Sequence, residues 1–177
     1  MAKKKEIGKY TYASPPPKDE HEFQSYSHKW LMENVPQLRD YGYAVPNGAK
    51  LPARKVPVKY KGKQVVDANG TPLEKRVSNE AQKLLREGMK GGVADYFIAK
   101  PVQTSKTKSG WYHGFYIEFK FGKNKQQENQ IEFEELVTKE DYLYVLVYDN
   151  NTILDNLNRI DPLHNFKTII RQYLDLL

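Results

Sequence analysis

Two short apolar segments decide the fold: residues 91–98 read GGVADYFI, and residues 112–120 read YHGFYIEFK. Each has the length and composition of a β-strand bounded by glycine and polar residues. The polar stretch 103–110 between them contains lysine, serine and glycine, which suits a hairpin connection. These features predict two neighbouring antiparallel strands.

Ionisable side chains interrupt both apolar segments. Asp95 stands early in the first, and Glu118 and Lys120 stand near the end of the second. Residues two apart on a strand share a face, so Glu118 and Lys120 point one way and Phe119 points the other. Charged groups on an apolar strand cost free energy unless they are paired, hydrated or bound to a metal. The three residues are a candidate site, although E-x-K alone is more typical of a solvated surface or an ion pair.

The composition excludes several classes of protein. The chain has 177 residues, which indicates one domain with a core of its own. It has no cysteine, which excludes disulfides, thiolate zinc sites and cysteine nucleophiles. There is no apolar run near eighteen residues, and the start MAKKKE is unlike a signal peptide. We therefore expect a soluble, cytoplasmic protein without a membrane partner.

The net charge of +6 is distributed unevenly. Residues 1–127 contain 24 Lys and Arg against 12 Asp and Glu, whereas residues 128–177 contain 4 against 10. A basic body of this kind favours a polyanionic partner, for which nucleic acid is the usual candidate. The alternative is that the lysines only keep the protein soluble.

The periodicity of the chain predicts an α/β domain with a mixed central β-sheet flanked by helices. Residues 1–18 form a basic, proline-rich arm, and residues 19–177 form the domain, with an insert at 51–77. The predicted elements are a helix capped by Asp19 and ending before Pro36, a strand at 40–45, a helix from Ser78 or Asn79 to Gly88, the two strands above, a helix at 126–139, a strand at 142–148 buried on both faces, and helices at 152–159 and 162–177. The helical connection to 142–148 makes the last strand pair parallel.

The insert reads as a basic β-hairpin that closes at residues 67–70. It carries Lys59, Lys61 and Lys63 around Tyr60, and residues 50–63 contain no acid. A cationic ribbon with an aromatic residue suits contact with a phosphate backbone. An edge hairpin kept soluble by lysine has the same pattern.

Five segments in order resemble motifs of the virus-type replication-repair nuclease (VRR-NUC) domain, a branch of the PD-(D/E)xK nucleases with a restriction-endonuclease-like core. They are EHEFQ at 20–24, AVPNGAK at 44–50, GMKGGVAD at 88–95, YHGFYIEFK at 112–120, and Gln130. The chain departs from the family pattern in two places, because alanine stands at Ala49 for a glycine and at Ala94 for the usual proline. The insert is also longer than in compact members of the family.

The resemblance implies a metal-dependent nuclease site. Asp95, Glu118 and the backbone carbonyl of Phe119 would bind Mg²⁺ or Mn²⁺, which prefer hard oxygen ligands. Glu20 would hold a second ion or orient a water, although the first turn of a helix favours an acid in any case. Lys120 would stand beside the attacking water, and Gln130 would position the phosphate or the nucleophile.

The resemblance also implies a partner, namely branched DNA. Small standalone members of the family act as homodimers that resolve four-way junctions, and two nicks across a symmetric junction need two sites. Asn47, Lys50 and Lys90 are candidate phosphate contacts, together with the lysines of the insert. Two alternatives stay open: a non-catalytic nucleic-acid-binding module, and a flap or restriction-type nuclease.

Overall fold

The computed structural model describes residues 13–46, 54–150 and 159–176. Two compact units divide the chain: residues 1–45 with 92–177 form the first, and residues 46–91 form the second. The predicted insert at 51–77 lies inside the second unit. Among the described helices, none combines the length and apolarity needed to cross a membrane.

The two units contain four helices and ten strands among the described residues. The helices are α1 (Glu20–Asn34), α2 (Asn79–Arg86), α3 (Glu128–Lys139) and α4 (His164–Leu174). The strands are β1 (Gly42–Ala44), β2 (Arg54–Pro57), β3 (Lys59–Tyr60), β4 (Lys63–Gln64), β5 (Glu74–Val77), β6 (Tyr96–Ile98), β7 (Val102–Gln103), β8 (Trp111–Tyr112), β9 (Phe115–Lys120) and β10 (Leu143–Tyr148).

Helix α1 begins where the sequence predicts. The carboxylate of Asp19 accepts a hydrogen bond from the backbone N–H of Glu22 at 2.9 Å, which satisfies one of the free amides of the first turn. The residues that α1 buries, Phe23, Ser27 and Leu31, are spaced four apart and therefore lie on one side of the helix. The helix ends at Asn34, two residues before Pro36, and Val35 is its C-cap.

The central sheet has four strands in the order β1-β6-β9-β10. Strand β6 is antiparallel to β1 and β9, and β10 is parallel to β9, which confirms the predicted mixed sheet. Tyr96 pairs with Ile117 and Phe97 with Tyr116. Extending this register by one residue sets Asp95, which directly precedes β6, opposite Glu118.

The two faces of the sheet differ in what covers them. Phe115, Ile117 and Phe119 point into the main core, where residues of α1 and α4 pack against them. The ring of Phe119 contacts Phe23 edge-on at a centroid distance of 5.3 Å, and burying each such ring contributes roughly 2 kcal/mol. On the opposite face Tyr116 packs against a smaller cluster that includes Phe133 of α3. The alternation therefore sends Glu118 and Lys120 to the α3 face.

Several predicted elements differ in extent from the observed ones. Strand β10 was expected to be buried on both faces, but it is an edge strand of the described sheet, and only Tyr144 and Val147 along it are buried. Helix α3 begins at Glu128 and α4 at His164, two residues later than predicted in each case. The helix predicted at 152–159 and the first twelve residues of the N-terminal arm lie outside the described residues, except for Arg159.

The second unit contains a branched β-ribbon rather than the single hairpin that the sequence predicts. Strands β2 and β5 pair as a stem. Two hairpins leave it: a lysine arm (residues 59–64), in which β3 pairs with β4, and an aspartate arm (residues 66–72) closed by a turn at Asp67. The three ribbons meet in a ring of backbone hydrogen bonds, from Val58 to Leu73, from Leu73 to Val65, and from Val65 to Val58. The prediction missed the turn at Lys61 and Gly62.

Candidate active site

Hydrogen bonds from β9, from Val45 and from α1 hold Asp95 in place. Its Oδ2 accepts a hydrogen bond from the backbone N–H of Phe119 at 2.9 Å. Its carbonyl oxygen accepts from the backbone N–H of Val45 at 2.8 Å and from Nε2 of Gln24 at 3.1 Å. The sheet and α1 together hold this carboxylate at the end of β9, where the sequence places the candidate site.

Glu118, Lys120 and Gln130 form a closed hydrogen-bonded triangle. Lys120 Nζ donates to Glu118 Oε1 at 2.5 Å and to Gln130 Oε1 at 3.1 Å, and Gln130 Nε2 donates to Glu118 Oε1. The residues are 1%, 4% and 9% exposed respectively. Charged groups with so little exposure require paired partners, and this triangle supplies them.

Helix α3 brings Gln130 to the sheet. Gln130 is in the first turn of α3, and its Oε1 also accepts from the backbone N–H of Gln127 at 2.9 Å, the residue just before the helix. This bond satisfies a free amide and orients the side chain toward β9 at the same time. The sequence prediction that Gln130 reaches the end of the Glu118–Lys120 strand agrees with this geometry.

The electrostatics of the site disfavour the charged form of Glu118. Burial raises the pKa of the Glu118 carboxyl to about 7, the charges of Asp95 and Glu20 add to the rise, and Lys120 opposes it. The second oxygen, Oε2, is buried and has no hydrogen-bond partner among the described residues. A buried carboxylate oxygen in this state fits a cation or a water.

Glu20 stands at the border of the site. It is half-buried in the first turn of α1, and its Oε2 lies 3.5 Å from Nδ2 of Asn124. Its charge acts on Glu118, so the two carboxylates are within electrostatic range. The described part of the chain has no group of three or more His, Asp or Glu side chains arranged to hold a metal. Protein ligands for an ion here would therefore be the carboxylates of Asp95 and Glu118 with a backbone oxygen such as that of Phe119.

The predicted nucleic-acid contacts belong to the second unit. Lys59, Lys61 and Lys63 are exposed on the lysine arm, and Lys90 is exposed beyond α2. Asn47 and Lys50 lie outside the described residues. The structure thus brings together Asp95, Glu118, Lys120 and Gln130, with Glu20 nearby.

Sequence reasoning missed Tyr144 as a neighbour of the site. Its ring is buried on the α3 face, and its hydroxyl oxygen lies 3.5 Å from Nε2 of Gln126. Burial raises the pKa of Tyr144, and the charge of Glu118 raises it further. The alternation of side chains along the strands could have indicated this position. Tyr144 pairs in register with Tyr116, which lies on the same face of the sheet as Glu118.

Gly92 allows the loop before Asp95 to pack against α3. Its φ is +84°, and a Cβ there would lie 2.5 Å from the backbone oxygen of Asn129. We expect Gly92→Ala to lower the free energy of unfolding by roughly 3 kcal/mol, because backbone must move as well as adopt a disfavoured φ. Thermal or urea unfolding measures this loss.

Gly88→Ala is the matched control for Gly92→Ala. Gly88 also has a positive φ, +98°, but no heavy atom lies within 4 Å of its Cβ position. Gly88→Ala should lower the free energy of unfolding by only about 1 kcal/mol, the cost of a positive φ for alanine. Equal losses in the two variants would show that the contact with Asn129 does not constrain the loop.

Comparison with known proteins identifies the fold. No family model matches the sequence, and no curated protein matches it. Two chains among solved structures match. One of them is described as "VRR_NUC domain protein"; it has a TM-score of 0.54 and 22% sequence identity, and the match covers 89% of this chain and 89% of that chain. The likeness confirms the fold that the motif resemblance predicts.

Proposed function

We propose that this protein is a divalent-metal-dependent nuclease of the VRR-NUC type that cleaves phosphodiester bonds in DNA. The observation that carries the proposal is the buried cluster of Asp95, Glu118, Lys120 and Gln130, in which one oxygen of Glu118 has no protein partner in the described chain. If the Glu118–Lys120 pair were only structural, a second carboxylate beside it would be unfavourable. The charge of Asp95 raises the free-energy cost of ionising Glu118. A bound cation would offset that cost.

The residues fit Mg²⁺ or Mn²⁺ in chemistry. Asp95, Glu118 and the carbonyl oxygen of Phe119 are hard oxygen donors, and both ions complete their coordination with water and phosphate oxygens. When bound, such an ion lowers the pKa of a coordinated water and neutralises charge on the phosphate. Glu20 would hold a second ion or orient a water from the border of the site.

Lys120 and Gln130 act on the reacting groups directly in this proposal. Lys120 Nζ lies in hydrogen-bond contact with Glu118 and Gln130, so its direction is defined before substrate binds. From there the ammonium group stabilises a deprotonated water and opposes negative charge that develops on the phosphate. The Gln130 amide orients the phosphate or the nucleophile. The products are a 5′-phosphate and a 3′-hydroxyl, as the family resemblance suggests.

The proposed substrate is branched DNA, and the proposed active form is a homodimer. Two carboxylate sites related by a two-fold axis would introduce paired nicks across a four-way junction. The lysines at 59, 61, 63 and 90, with Asn47 and Lys50, are the proposed phosphate contacts. Both finer points rest on the family resemblance and the basic charge of residues 1–127.

One cleavage panel tests the proposal. Purified protein is incubated with a four-way junction, a flap, a linear duplex and a single strand of related sequence, in Mg²⁺ and in EDTA. We expect symmetric nicks in the junction with Mg²⁺ and none in EDTA. Asp95→Asn should cleave nothing, whereas Asp40→Asn, which removes an exposed charge elsewhere, should cleave like wild type.

The same panel has outcomes that oppose the proposal. If wild type and Asp95→Asn leave every substrate intact, the protein is not a nuclease of this kind. Binding that falls steeply with salt but ignores Mg²⁺ and Glu118→Gln would favour a non-catalytic binding module. Preferential cleavage of the flap or the linear duplex would support the nuclease activity but contradict branched DNA as the substrate. Light scattering measures the oligomeric state in parallel.

A further inference from the structure

The lysine arm (residues 59–64) differs in charge from the aspartate arm of the branched ribbon. Three of its six residues are lysines, and it has no acid. In the described stretch 54–77 the ion pair lies in the stem, where Lys55 Nζ is 3.3 Å from the carboxylate of Glu74. The aspartate arm (residues 66–72) has one acid and no base. The ribbon therefore concentrates unpaired positive charge on one of its two arms.

An exposed tyrosine stands at the end of this arm between ammonium groups. Tyr60 is 68% exposed. It pairs across the hairpin with Lys63, so the two side chains leave the same face. Lys61 Nζ lies 5.5 Å from the centre of the Tyr60 ring, within cation–π range. The ring is thus an exposed aromatic surface with the Lys61 ammonium over it and Lys63 as its neighbour across the hairpin.

The turn of the lysine arm has a lysine at a backbone conformation that is unfavourable for lysine. Lys61 has φ +47° and Gly62 has φ +80°, the pattern of a two-residue hairpin turn with both central residues left-handed. Asn or Gly is the usual first residue of such a turn, because side chains with a longer stem meet steric resistance there. The aspartate arm uses Gly70, φ +79°, for its left-handed position. Strain retained at a lysine points to a use for that lysine.

We propose that the lysine arm is a nucleic-acid-binding finger in which Tyr60 stacks on an unpaired base and Lys61 and Lys63 contact the flanking phosphates. Bases inside a duplex have both faces covered, whereas a single strand or a branch point offers a free face for stacking. The finger therefore gives the protein a preference for DNA that exposes a base face, as a single strand or a branch point does. This deepens the proposed function by naming the element that selects the substrate, and it rests on that function only for DNA as the ligand.

The test measures binding without cleavage. Fluorescence anisotropy compares a labelled single-stranded oligonucleotide with a blunt duplex of the same length, using Asp95→Asn as the common background. Tyr60→Ala should weaken binding of the single strand about tenfold and of the duplex less than twofold. Tyr60→Phe keeps the stacking surface and should bind normally. Val66→Ala, which trims an exposed side chain on the aspartate arm, is the matched control.

Two further measurements isolate the two parts of the finger. An oligonucleotide of abasic residues should bind Tyr60→Ala and its parent equally, because it has phosphates but no base to stack on. Lys61→Asn suits the turn better, so it should melt at a higher temperature than its parent. It should nevertheless lower the slope of log affinity against log salt for the single strand by about 0.7.

The inference fails if Tyr60→Ala weakens single strand and duplex equally, or neither. It also fails if the same Tyr60 dependence appears with anionic vesicles or polyglutamate in place of DNA. Cleavage of the panel by protein with intact Asp95 is scored separately. If Tyr60→Ala still nicks DNA in Mg²⁺ and binds DNA as its parent does, the finger is refuted and the nuclease proposal stands. If Tyr60→Ala loses single-strand binding but protein with intact Asp95 nicks no DNA, the finger stands and the nuclease proposal is refuted.

Discussion

Lys120→Met is expected to lose at least a hundredfold in cleavage rate and about 3 kcal/mol in unfolding free energy. Lys120 is 4% exposed, and its ammonium group contacts both Glu118 and Gln130. Its removal leaves the buried Glu118 carboxylate without its counter-ion and takes one of two donors from the buried Gln130 amide oxygen. Urea unfolding in EDTA measures the stability, and single-turnover cleavage in Mg²⁺ measures the rate.

A second substitution separates the two losses. In the double variant Lys120→Met with Glu118→Gln, the side chain at 118 carries no charge, so most of the stability should return while cleavage stays absent. Lys167→Met is the matched control. Lys167 Nζ forms an ion pair with Asp161 at a distance of 2.8 Å, and this pair is not part of the site. Lys167→Met should lose stability and keep its cleavage rate below the melting temperature. Wild-type cleavage by Lys120→Met would refute the role of the ammonium group.

The geometry of the site could be predicted from sequence because strand parity determines it. Residues 115–120 alternate between the two faces of the sheet, so Glu118 and Lys120 share a face whatever packs on it. The antiparallel partner follows from a short polar connection, and this pairing brings Asp95 opposite Glu118. Gln130 could be placed near Lys120 because the helix that follows β9 connects it to a parallel strand and therefore packs back across the sheet.

Features that depend on tertiary context could not be predicted in this way. The apolar run of β10 is typical of a central strand, but the position of a strand in its sheet depends on which other strands pair with it. The turn at Lys61 was missed because lysine is a poor residue for a left-handed conformation, so that Gly62 was the only turn signal beside it. The role of Gly92 depends on Asn129, which is far along the chain.

As the pH rises from 4.5 to 8, metal-free Glu118→Gln is expected to gain stability relative to the wild type, although the substitution should abolish cleavage. Burial first, and then the Asp95 and Glu20 charges, raise the pKa of Glu118 from its ordinary 4.5 to about 7 in the folded protein. Between these two values the folded form holds a proton that the unfolded chain has released. Stability from this group is therefore complete below pH 4.5 and is lost as the pH rises to 7.

The size of that loss follows from the shift. A rise of this extent corresponds to about 3 kcal/mol, so the difference in unfolding free energy between variant and wild type should grow by about this amount from pH 4.5 to pH 8 in EDTA. Glu132→Gln, on an exposed position of α3, should follow the wild-type profile. Urea unfolding at a series of pH values gives both curves.

Adding Mg²⁺ at pH 8 should shift the difference in stability between the two proteins in favour of the wild type. An ion that binds only the folded state stabilises it in proportion to its affinity, and the wild-type carboxylate provides a ligand that the amide of Glu118→Gln replaces poorly. Wild type should therefore gain stability with Mg²⁺ and the variant should gain little. If the two proteins respond equally to Mg²⁺, Glu118 is not a ligand of the ion. If their difference in EDTA is independent of pH, the pKa of Glu118 is not raised in the folded protein.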